Sequence, residues 1–176
     1  MNKIQLFRRR YIPDEIKELK DDIVLSADDK MILTKWNVLK PRKDIAKCSD
    51  IPDYISYMYD ETFAENYELA GNATPALAVE VLERYKDLVD VNDDKDTWFE
   101  KIKSICEPVG CTPNVKEFKQ NPDAFKGHVG DVSTIIRVAL TGRTNTPDLC
   151  SITALLGSDR VAKRIENAIN YYKEEK

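Results

Sequence analysis

Apolar side chains recur at helical spacing along most of the chain, and no alternating strand pattern is sustained. The clearest stretch lies between Asp131 and Gly142, with apolar positions at i, i+3, i+4, i+7 and i+8: Val132, Ile135, Ile136, Ala139 and Leu140. This spacing puts the apolar side chains on one face of a helix. We predict that Asp131 caps this helix and that Gly142 ends it, since glycine suits the left-handed residue after a helix.

Two more helices are predicted downstream. Thr146 is the expected N-cap of a short helix, with Pro147 in its first position, and Gly157 is expected to end it. Ser158 is expected to cap the final helix. The inward positions predicted for these two helices are Leu149, Ile152 and Leu156, then Val161, Ile165, Ala168, Ile169 and Tyr172.

The earlier part of the chain also shows helical periodicity. Thr74 and Pro75 predict the start of one helix and Asp96 the start of the next, with their core positions at Leu77, Val81, Leu82 and Tyr85, then Trp98, Ile102 and Ile105. Further helices are predicted after Pro13, from Ser26 toward Val38, and after Ser49 or Asp50. Prolines and glycines between residues 107 and 130 predict loops with one short helix around Val115 to Phe118. The predicted fold class is therefore all-α.

Composition narrows the class of protein. The chain has 176 residues, of which 33% are charged and 42% hydrophobic, the balance of a globular protein. It contains no apolar run near the roughly 20 residues of a membrane span. The first residues contain no apolar core of a secretory signal, so the four cysteines are expected to stay reduced in the cytoplasm.

The net charge of −4 argues against a dedicated nucleic-acid-binding protein, which usually carries a basic excess. Basic residues nevertheless cluster locally, and a local patch can bind phosphates on an acidic protein. These bases could also be ordinary solvated residues. The clusters comprise Arg8 to Arg10, then Lys40, Arg42, Lys43 and Lys47, then Arg137, Arg143, Arg160, Lys163 and Arg164.

Candidate catalytic and metal-binding residues are few. His128 could be a general base, but no nucleophile can be placed beside it from the sequence, so we interpret it as a structural residue. Cys106 and Cys111 could ligate zinc, but a structural site needs four ligands and a second pair is missing. Acidic pairs such as Asp93-Asp94 are explained by their position at predicted helix starts. We predict no catalytic or metal site.

The predicted turn from Gly142 to Pro147 is different in kind. It joins two helices and offers a guanidinium, two hydroxyls, an amide and the free N–H groups of a helix N-terminus. These groups suit the edges and phosphates of unpaired nucleotides. A well-capped turn with no ligand would also explain the pattern.

The segment IIRVALTGRTNTPDLCSITALLGSDRVAKRIENAI resembles the carboxy-terminal end of bacterial glutamate–tRNA ligases. The family pattern there is roughly R-x-A-L-T-G, a short variable stretch, a Pro, a Leu and L-G-x-x-R. The matching residues are Arg137, Ala139, Leu140, Thr141, Gly142, Pro147, Leu149, Leu156, Gly157 and Arg160. Upstream, ILTKWNVLKPRKDIAKCSDIPDYISYMYDE and DKDTWFEKIKSICEPVG are similar to other parts of the same region, so the resemblance extends from about residue 26 onward.

The resemblance implies an anticodon-binding region made of two small helical bundles packed side by side, which binds the anticodon loop and performs no chemistry. By motif position, Arg42 and the turn Thr146-Pro147-Asp148-Leu149 would contact anticodon bases, with Lys40, Lys43 and Lys47 as neighbours of Arg42. The position of Arg42 would help to separate enzymes that charge only glutamate tRNA from those that also charge glutamine tRNA. The expected phosphate contacts are Arg137, Arg143, Arg160 and Lys163.

The resemblance also implies a domain plan. Residues 1–25 would be a remnant of the preceding region, 26–108 a first helical subdomain, 109–130 an inserted loop and 131–176 a second subdomain. The family's two ATP-binding motifs do not occur in this sequence, so ATP and magnesium would belong to a separate catalytic domain and this chain would be an expressed piece with a new Met1. The expected partners are a tRNA anticodon loop and that catalytic domain, with a monomeric chain and no membrane.

Two rival functions remain open from the residues alone. One is a stand-alone helical protein-interaction module that does not bind RNA. The other is a small metal-dependent enzyme that uses the acidic pairs with Cys106, Cys111 and His128.

Overall fold

The computed structural model describes residues 54–174, and this range is built almost entirely from helices. The predicted all-α class is confirmed. The helices are α1 (Pro75–Leu88), α2 (Lys95–Cys106), α3 (Val115–Gln120), α4 (Val129–Thr141), α5 (Leu149–Leu156) and α6 (Ser158–Glu174). Short 3₁₀ turns occur at Ser56–Met58, Glu107–Val109 and Pro122–Ala124. In the described range, none of these helices is long and apolar enough to cross a membrane.

Helix α4 lies at the centre of the compact unit that runs from Tyr57 to Lys176, and it packs against α1, α2 and α6. Helices α1 and α6 also pack on each other, and α5 lies against α6 and α2. The described helices of the predicted segments 26–108 and 131–176 therefore share one core. The division into four segments stays a prediction, because residues 1–53 lie outside the described range.

The predicted apolar stripes form this core. All five apolar positions predicted for α4 are fully buried, each at 0% exposure. The inward positions predicted for α1, α2, α5 and α6 are also buried. A polar contact joins three of these helices, since Trp98 Nε1 donates to Tyr85 Oη at 3.1 Å and that oxygen lies 3.5 Å from Thr153 Oγ1. Hydrophobic burial at helical spacing accounts for most of the packing.

The segment between α2 and α4 contains more structure than the loops expected there. The predicted short helix is present as α3. Two short strands flank α3 and pair in parallel. Strand β1 (Cys111–Thr112) precedes α3 and strand β2 (Gly127–His128) follows it, with Cys111 opposite Gly127. This pairing satisfies backbone groups that a loose loop would leave to solvent.

Helix ends were predicted better at glycines than at caps. Gly142 ends α4 with a left-handed backbone (φ 66°), and Gly157 follows α5, as predicted. Asp94, rather than Asp96, caps α2, and its carboxylate accepts from the Thr97 N–H at 2.8 Å. Helix α2 therefore starts earlier than predicted, because an N-cap side chain accepts from a backbone N–H two or three residues later, and the N–H bound here is that of Thr97.

The start of α4 is also different from the prediction. His128 is the N-cap, and its Nδ1 accepts from the Gly130 N–H at 2.8 Å. Asp131 lies inside the first turn, where its carboxylate accepts from the His128 N–H at 2.9 Å. The two side chains thus form a reciprocal capping box. The interpretation of His128 as a structural residue agrees with this geometry.

Candidate nucleic-acid interface

The turn between α4 and α5 is ordered by bonds to its own backbone. Gly142 donates its N–H to Val138 O at 2.8 Å and so closes α4. The Thr141 hydroxyl donates to Arg137 O at 2.7 Å and accepts from the Arg143 N–H at 3.3 Å. Beyond this point Thr144 and Asn145 are exposed, as expected for a turn that could reach a ligand.

Arg143 does not extend freely from this turn. Its guanidinium carbon lies 5.4 Å from the centroid of the Tyr57 ring, within the range of a cation–π contact. Tyr57 is itself buried at 2% exposure, while Arg143 is half-buried. An arginine held over an aromatic ring presents a planar, oriented group, which suits a phosphate or an unstacked base.

Thr146 and Pro147 occupy different positions at the start of α5 from those expected, whereas Leu149 is buried, as its predicted inward position requires. Asp148, rather than Thr146, is the N-cap of α5, and its Oδ2 accepts from the Ser151 N–H at 3.2 Å. Pro147 consequently precedes the helix instead of occupying its first position. Thr146 is half-buried and its hydroxyl donates to Pro147 O at 3.2 Å. Leu149 is buried at 2% exposure, so its side chain belongs to the core.

Asp148 also binds a basic residue from the start of α2. Lys95 Nζ lies 3.0 Å from Asp148 Oδ1. Burial acts to raise the pKa of Asp148, but hydrogen bonds from Lys95 and Ser151 outweigh it, and the pKa is lowered. Asp148 is therefore ionised at neutral pH, and it places a negative charge at the helix end of the turn.

Arg137 lies one turn before the end of α4 and is half-buried. Burial lowers its pKa, whereas the nearby Asp148 and Tyr57 act in the opposite direction. Its Nε is buried and has no hydrogen-bond partner within the described part of the chain. The Arg137 guanidinium thus lies near the Tyr57 ring that also contacts Arg143, and the charged group as a whole is half-buried rather than fully enclosed.

The other predicted phosphate contacts lie on α6. Arg160 donates from Nη1 to Met58 O at 2.7 Å, so part of its guanidinium is bound to the protein. Lys163 is exposed, and it contributes to the positive potential around Asp60. The structure thus links the backbones of Arg137 and Arg143 through the Thr141 hydroxyl, while Arg160 and Lys163 belong to another helix. Arg42 and its neighbours Lys40, Lys43 and Lys47 lie outside the described residues.

Two residues that contact the turn or its neighbouring backbone, Tyr57 and Arg164, were not predicted from the sequence to belong to the site. Arg164 is 3% exposed and donates to the backbone carbonyls of Tyr57 and Leu140. From the sequence it was predicted only to belong to a cluster of basic residues. Its position offered a signal, since it follows Val161 by three residues and precedes Ala168 by four, at the edge of the apolar stripe. No comparable signal marked Tyr57.

The candidate metal residues are structural in this range. Cys106 and Cys111 are buried thiols, and burial is the main cause that raises the pKa of each to about 11. Such thiols are poor nucleophiles and poor metal ligands at neutral pH. Among residues 54–174 there is no group of three or more His, Cys, Asp or Glu side chains that could hold a metal ion.

Comparison with known proteins defines the class of this region. A family described as "Anticodon binding domain" matches residues 115–169, which include β2, α4, the turn and most of α6. The helical fold and the position of the turn agree with that description. The class is therefore an anticodon-binding domain.

Similar full-length proteins specify the family. The chain is 38% identical over 161 residues to a glutamate–tRNA ligase of Acetivibrio thermocellus, covering 92% of this chain and 29% of that protein. It is 39% identical over 157 residues to a glutamate–tRNA ligase of Clostridium perfringens, covering 85% of this chain and 28% of the relative. A glutamate–tRNA ligase of Clostridium beijerinckii is 39% identical over 136 residues, which are 74% of this chain and 25% of that protein.

The chain matches the carboxy-terminal, anticodon-binding part of bacterial glutamate–tRNA ligases. It spans less than a third of the length of these relatives. The rival interpretation as a stand-alone protein-interaction module is not favoured.

Proposed function

We propose that this chain binds the anticodon loop of a tRNA and thereby serves a ligase that attaches glutamate to tRNA. The observation that carries the proposal is the exposed turn between α4 and α5, where Arg143 is oriented on Tyr57 and Arg137 lies nearby. This turn falls inside the matched anticodon-binding residues. Guanidinium groups and exposed amides are typical partners of unpaired nucleotides.

Within this proposal the groups have distinct roles. Arg137 and Arg143 bind phosphates or base edges at the turn, and the amides around Thr146 and Pro147 line it. Leu149 supports the turn from the core rather than stacking on a base, because its side chain is buried. Arg42 reads an anticodon base, and Arg160 and Lys163 add long-range attraction for phosphates.

The remaining parts of the proposal concern the whole enzyme. Glutamate activation with ATP and magnesium takes place in a catalytic domain outside this sequence, and this chain holds no cofactor of its own. The chain acts in the cytoplasm as a monomer. The support for a separate catalytic domain is the name and length of the relatives, whose sequences are more than three times as long as the matched part.

A titration of glutamate tRNA into the chain at low salt tests the proposal. We expect the amide resonances of Arg143 and Thr146 to shift, and the affinity to fall as salt rises because phosphate contacts release counterions. Arg143→Ala should weaken binding, whereas Lys103→Ala, on the exposed face of α2, should leave it unchanged. Absence of any shift at residues 142–148 would contradict the site.

A second measurement concerns the full-length ligase. Arg42→Ala should lower the efficiency of tRNA charging through a higher KM for tRNA while leaving ATP and glutamate binding unchanged. An equal effect on ATP or glutamate would contradict the assignment of Arg42 to the anticodon.

A further inference from the structure

Arg164 is a buried cation at the centre of the contacts beneath the turn. Its Nη1 donates to Tyr57 O at 2.6 Å and to Leu140 O at 2.7 Å. Its Nη2 donates to Asp60 Oδ1 at 3.0 Å, and its guanidinium carbon lies 3.9 Å from the centroid of the Phe63 ring. The side chain therefore joins α6, the end of α4 and the segment that starts at Tyr57.

Burial of this charge would be costly without these partners. Burial lowers the pKa of Arg164, and the hydrogen bond with Asp60 acts in the opposite direction. Arg164 in turn is the largest cause that lowers the pKa of the Asp60 carboxyl. Leu140 O is one of the last carbonyls of α4, which no amide of the helix can satisfy, so a cation there is favourable.

Arg164 Nη1 forms hydrogen bonds to the backbone close to both residues of the Arg143–Tyr57 contact. It binds the carbonyl of Tyr57, whose ring lies under Arg143. It also binds the carbonyl of Leu140, which lies just before the turn that carries Arg143. The distance between the ring and the start of the turn is therefore set by one guanidinium that is only 3% exposed.

Arg160 reinforces this arrangement from one turn earlier on α6. It donates to Met58 O at 2.7 Å, the carbonyl that follows Tyr57. Two arginines on the same helix thus hold consecutive carbonyls of the incoming segment. Because this bond occupies Nη1 of Arg160, that nitrogen is not free for a direct phosphate contact.

We propose that Arg164 is a positioning residue for nucleotide binding at the turn: it holds Tyr57 against the end of α4, so that the Tyr57 ring orients Arg143 toward the bound nucleotide. This proposal rests on the proposed function of the turn. Arg164 itself does not touch the nucleotide, since it is enclosed by protein on every side that the described residues show.

The test compares Arg164→Lys with Tyr172→Phe in the 176-residue chain. Lysine keeps the charge but cannot bind in the planar fork of a guanidinium. Tyr172→Phe removes a different buried bond from α6, the one from Tyr172 Oη to Tyr67 O at 2.8 Å. It therefore controls for a general loss of stability, because it removes no bond to Tyr57 or Leu140.

Two readouts are needed. The first uses the protein alone: Arg143 side-chain resonances shifted by the Tyr57 ring should move toward their random-coil values in Arg164→Lys and stay in place in Tyr172→Phe. The second is the dissociation constant for glutamate tRNA, which should rise about three- to tenfold in Arg164→Lys, the size of a cation–π contact. It should stay at the wild-type value in Tyr172→Phe.

A double-mutant cycle then connects the two residues. If Arg164 acts through Arg143, the loss of affinity caused by Arg143→Ala should be smaller in the Arg164→Lys chain than in the wild type. Additive losses, or unchanged Arg143 resonances in folded Arg164→Lys, would overturn the positioning role. An equal weakening by Tyr172→Phe would show a merely structural effect and would overturn it as well.

A milder variant covers the case in which Arg164→Lys does not fold. Asp60→Ala removes the partner of Nη2 at a half-exposed position, and we expect a smaller change of the same sign in both readouts. No change in folded Asp60→Ala would overturn the proposal. If the wild-type chain does not bind tRNA, the proposed function fails, while the resonances of Arg143 still decide whether Arg164 orients it.

Discussion

The backbone at Gly142 lies directly against the carbonyl oxygen of Ala64. A β carbon placed on Gly142 would overlap with Ala64 O. Gly142 also has a left-handed backbone with φ 66°, which other residues adopt only at a cost. Gly142 therefore ends α4, and its lack of a side chain also leaves room for the segment that contains Ala64.

Gly142→Ala should destabilise the chain more than Gly157→Ala. Both glycines have positive φ, but Gly142 (φ 66°, ψ 17°) is in the left-handed helical region, where alanine costs about 1–2 kcal/mol, and Gly157 (φ 78°, ψ 164°) is in a region adopted almost only by glycine, where the cost is about 1–3 kcal/mol. Gly157 has no atom within 4 Å of an added β carbon, whereas Gly142 meets Ala64, which adds about 1–3 kcal/mol of overpacking. Urea unfolding of the two variants measures the difference. Equal losses would show that the segment at Ala64 moves away at little cost.

Asp131→Ala should cost more stability than Asp94→Ala, although both remove a carboxylate that accepts from a helix N-terminus. Asp94 is exposed and binds Thr97, so its loss should cost about 1 kcal/mol. Asp131 is buried at 7% exposure and also accepts from the Asn72 backbone N–H at 3.4 Å. Leaving these donors unsatisfied should add about 1–3 kcal/mol.

Thermal unfolding of the Asp131 and Asp94 variants provides the measurement. Asp131→Asn is a useful third variant, because an amide oxygen keeps one acceptor without the charge, and we expect an intermediate loss. A cost for Asp131→Ala no larger than that for Asp94→Ala would contradict the role of Asp131 in joining residues 71–72 to the start of α4.

Arg137→Met should separate stability from binding. Methionine has a similar length and removes a half-buried charge whose Nε has no partner in the described range. The free energy of unfolding should therefore stay unchanged or rise by about 1 kcal/mol, as when other buried charges become apolar. Binding of glutamate tRNA should weaken and show a smaller dependence on salt. Lower stability together with unchanged tRNA affinity would mean that Arg137 serves the fold alone.

The free energy of unfolding should fall as the pH rises from about 9 to about 11, because the thiols of Cys106 and Cys111 are buried. Burial raises the pKa of Cys106 and of Cys111 from 9.0 to about 11. Between these values the unfolded chain releases protons that the folded chain retains, so alkali favours unfolding, and the slope approaches about 1.4 kcal/mol per pH unit for each thiol.

The measurement is urea unfolding at several pH values between 8 and 11, roughly spanning the ordinary and raised thiol pKa values. The chain carrying both Cys106→Ala and Cys111→Ala is the control, and its stability should depend less on pH in this window. A slope equal to that of the wild type would assign the alkaline loss to other groups.

Local pattern was sufficient for the core of this protein. Burial at helical spacing depends on neighbours within a turn or two, so the stripes on α1, α4 and α6 could be predicted position by position. The glycines at 142 and 157 were predictable for the same reason, because the backbone geometry after a helix is a local requirement. The polar residues of the turn between α4 and α5 suggested a ligand, and family resemblance then implied that this ligand is the anticodon.

Caps were less predictable, because several polar residues compete for each helix end. At α4 and α5 the choice fell on His128 and Asp148 instead of Asp131 and Thr146. If a helix starts one or a few residues earlier, a different set of backbone N–H groups is left without an intrahelical acceptor. The sequence contains an acceptable cap residue for either starting point of α4 and of α5.

The contacts beneath the turn depend on residues that are far apart in the chain. Arg164 binds Tyr57 O across 107 positions and Leu140 O across 24, and Asp131 reaches Asn72 across 59. In the sequence Arg164 is one more base on a helix with a basic character. Only the folded chain brings carbonyl groups to its guanidinium, and a buried charge is stable where such partners converge.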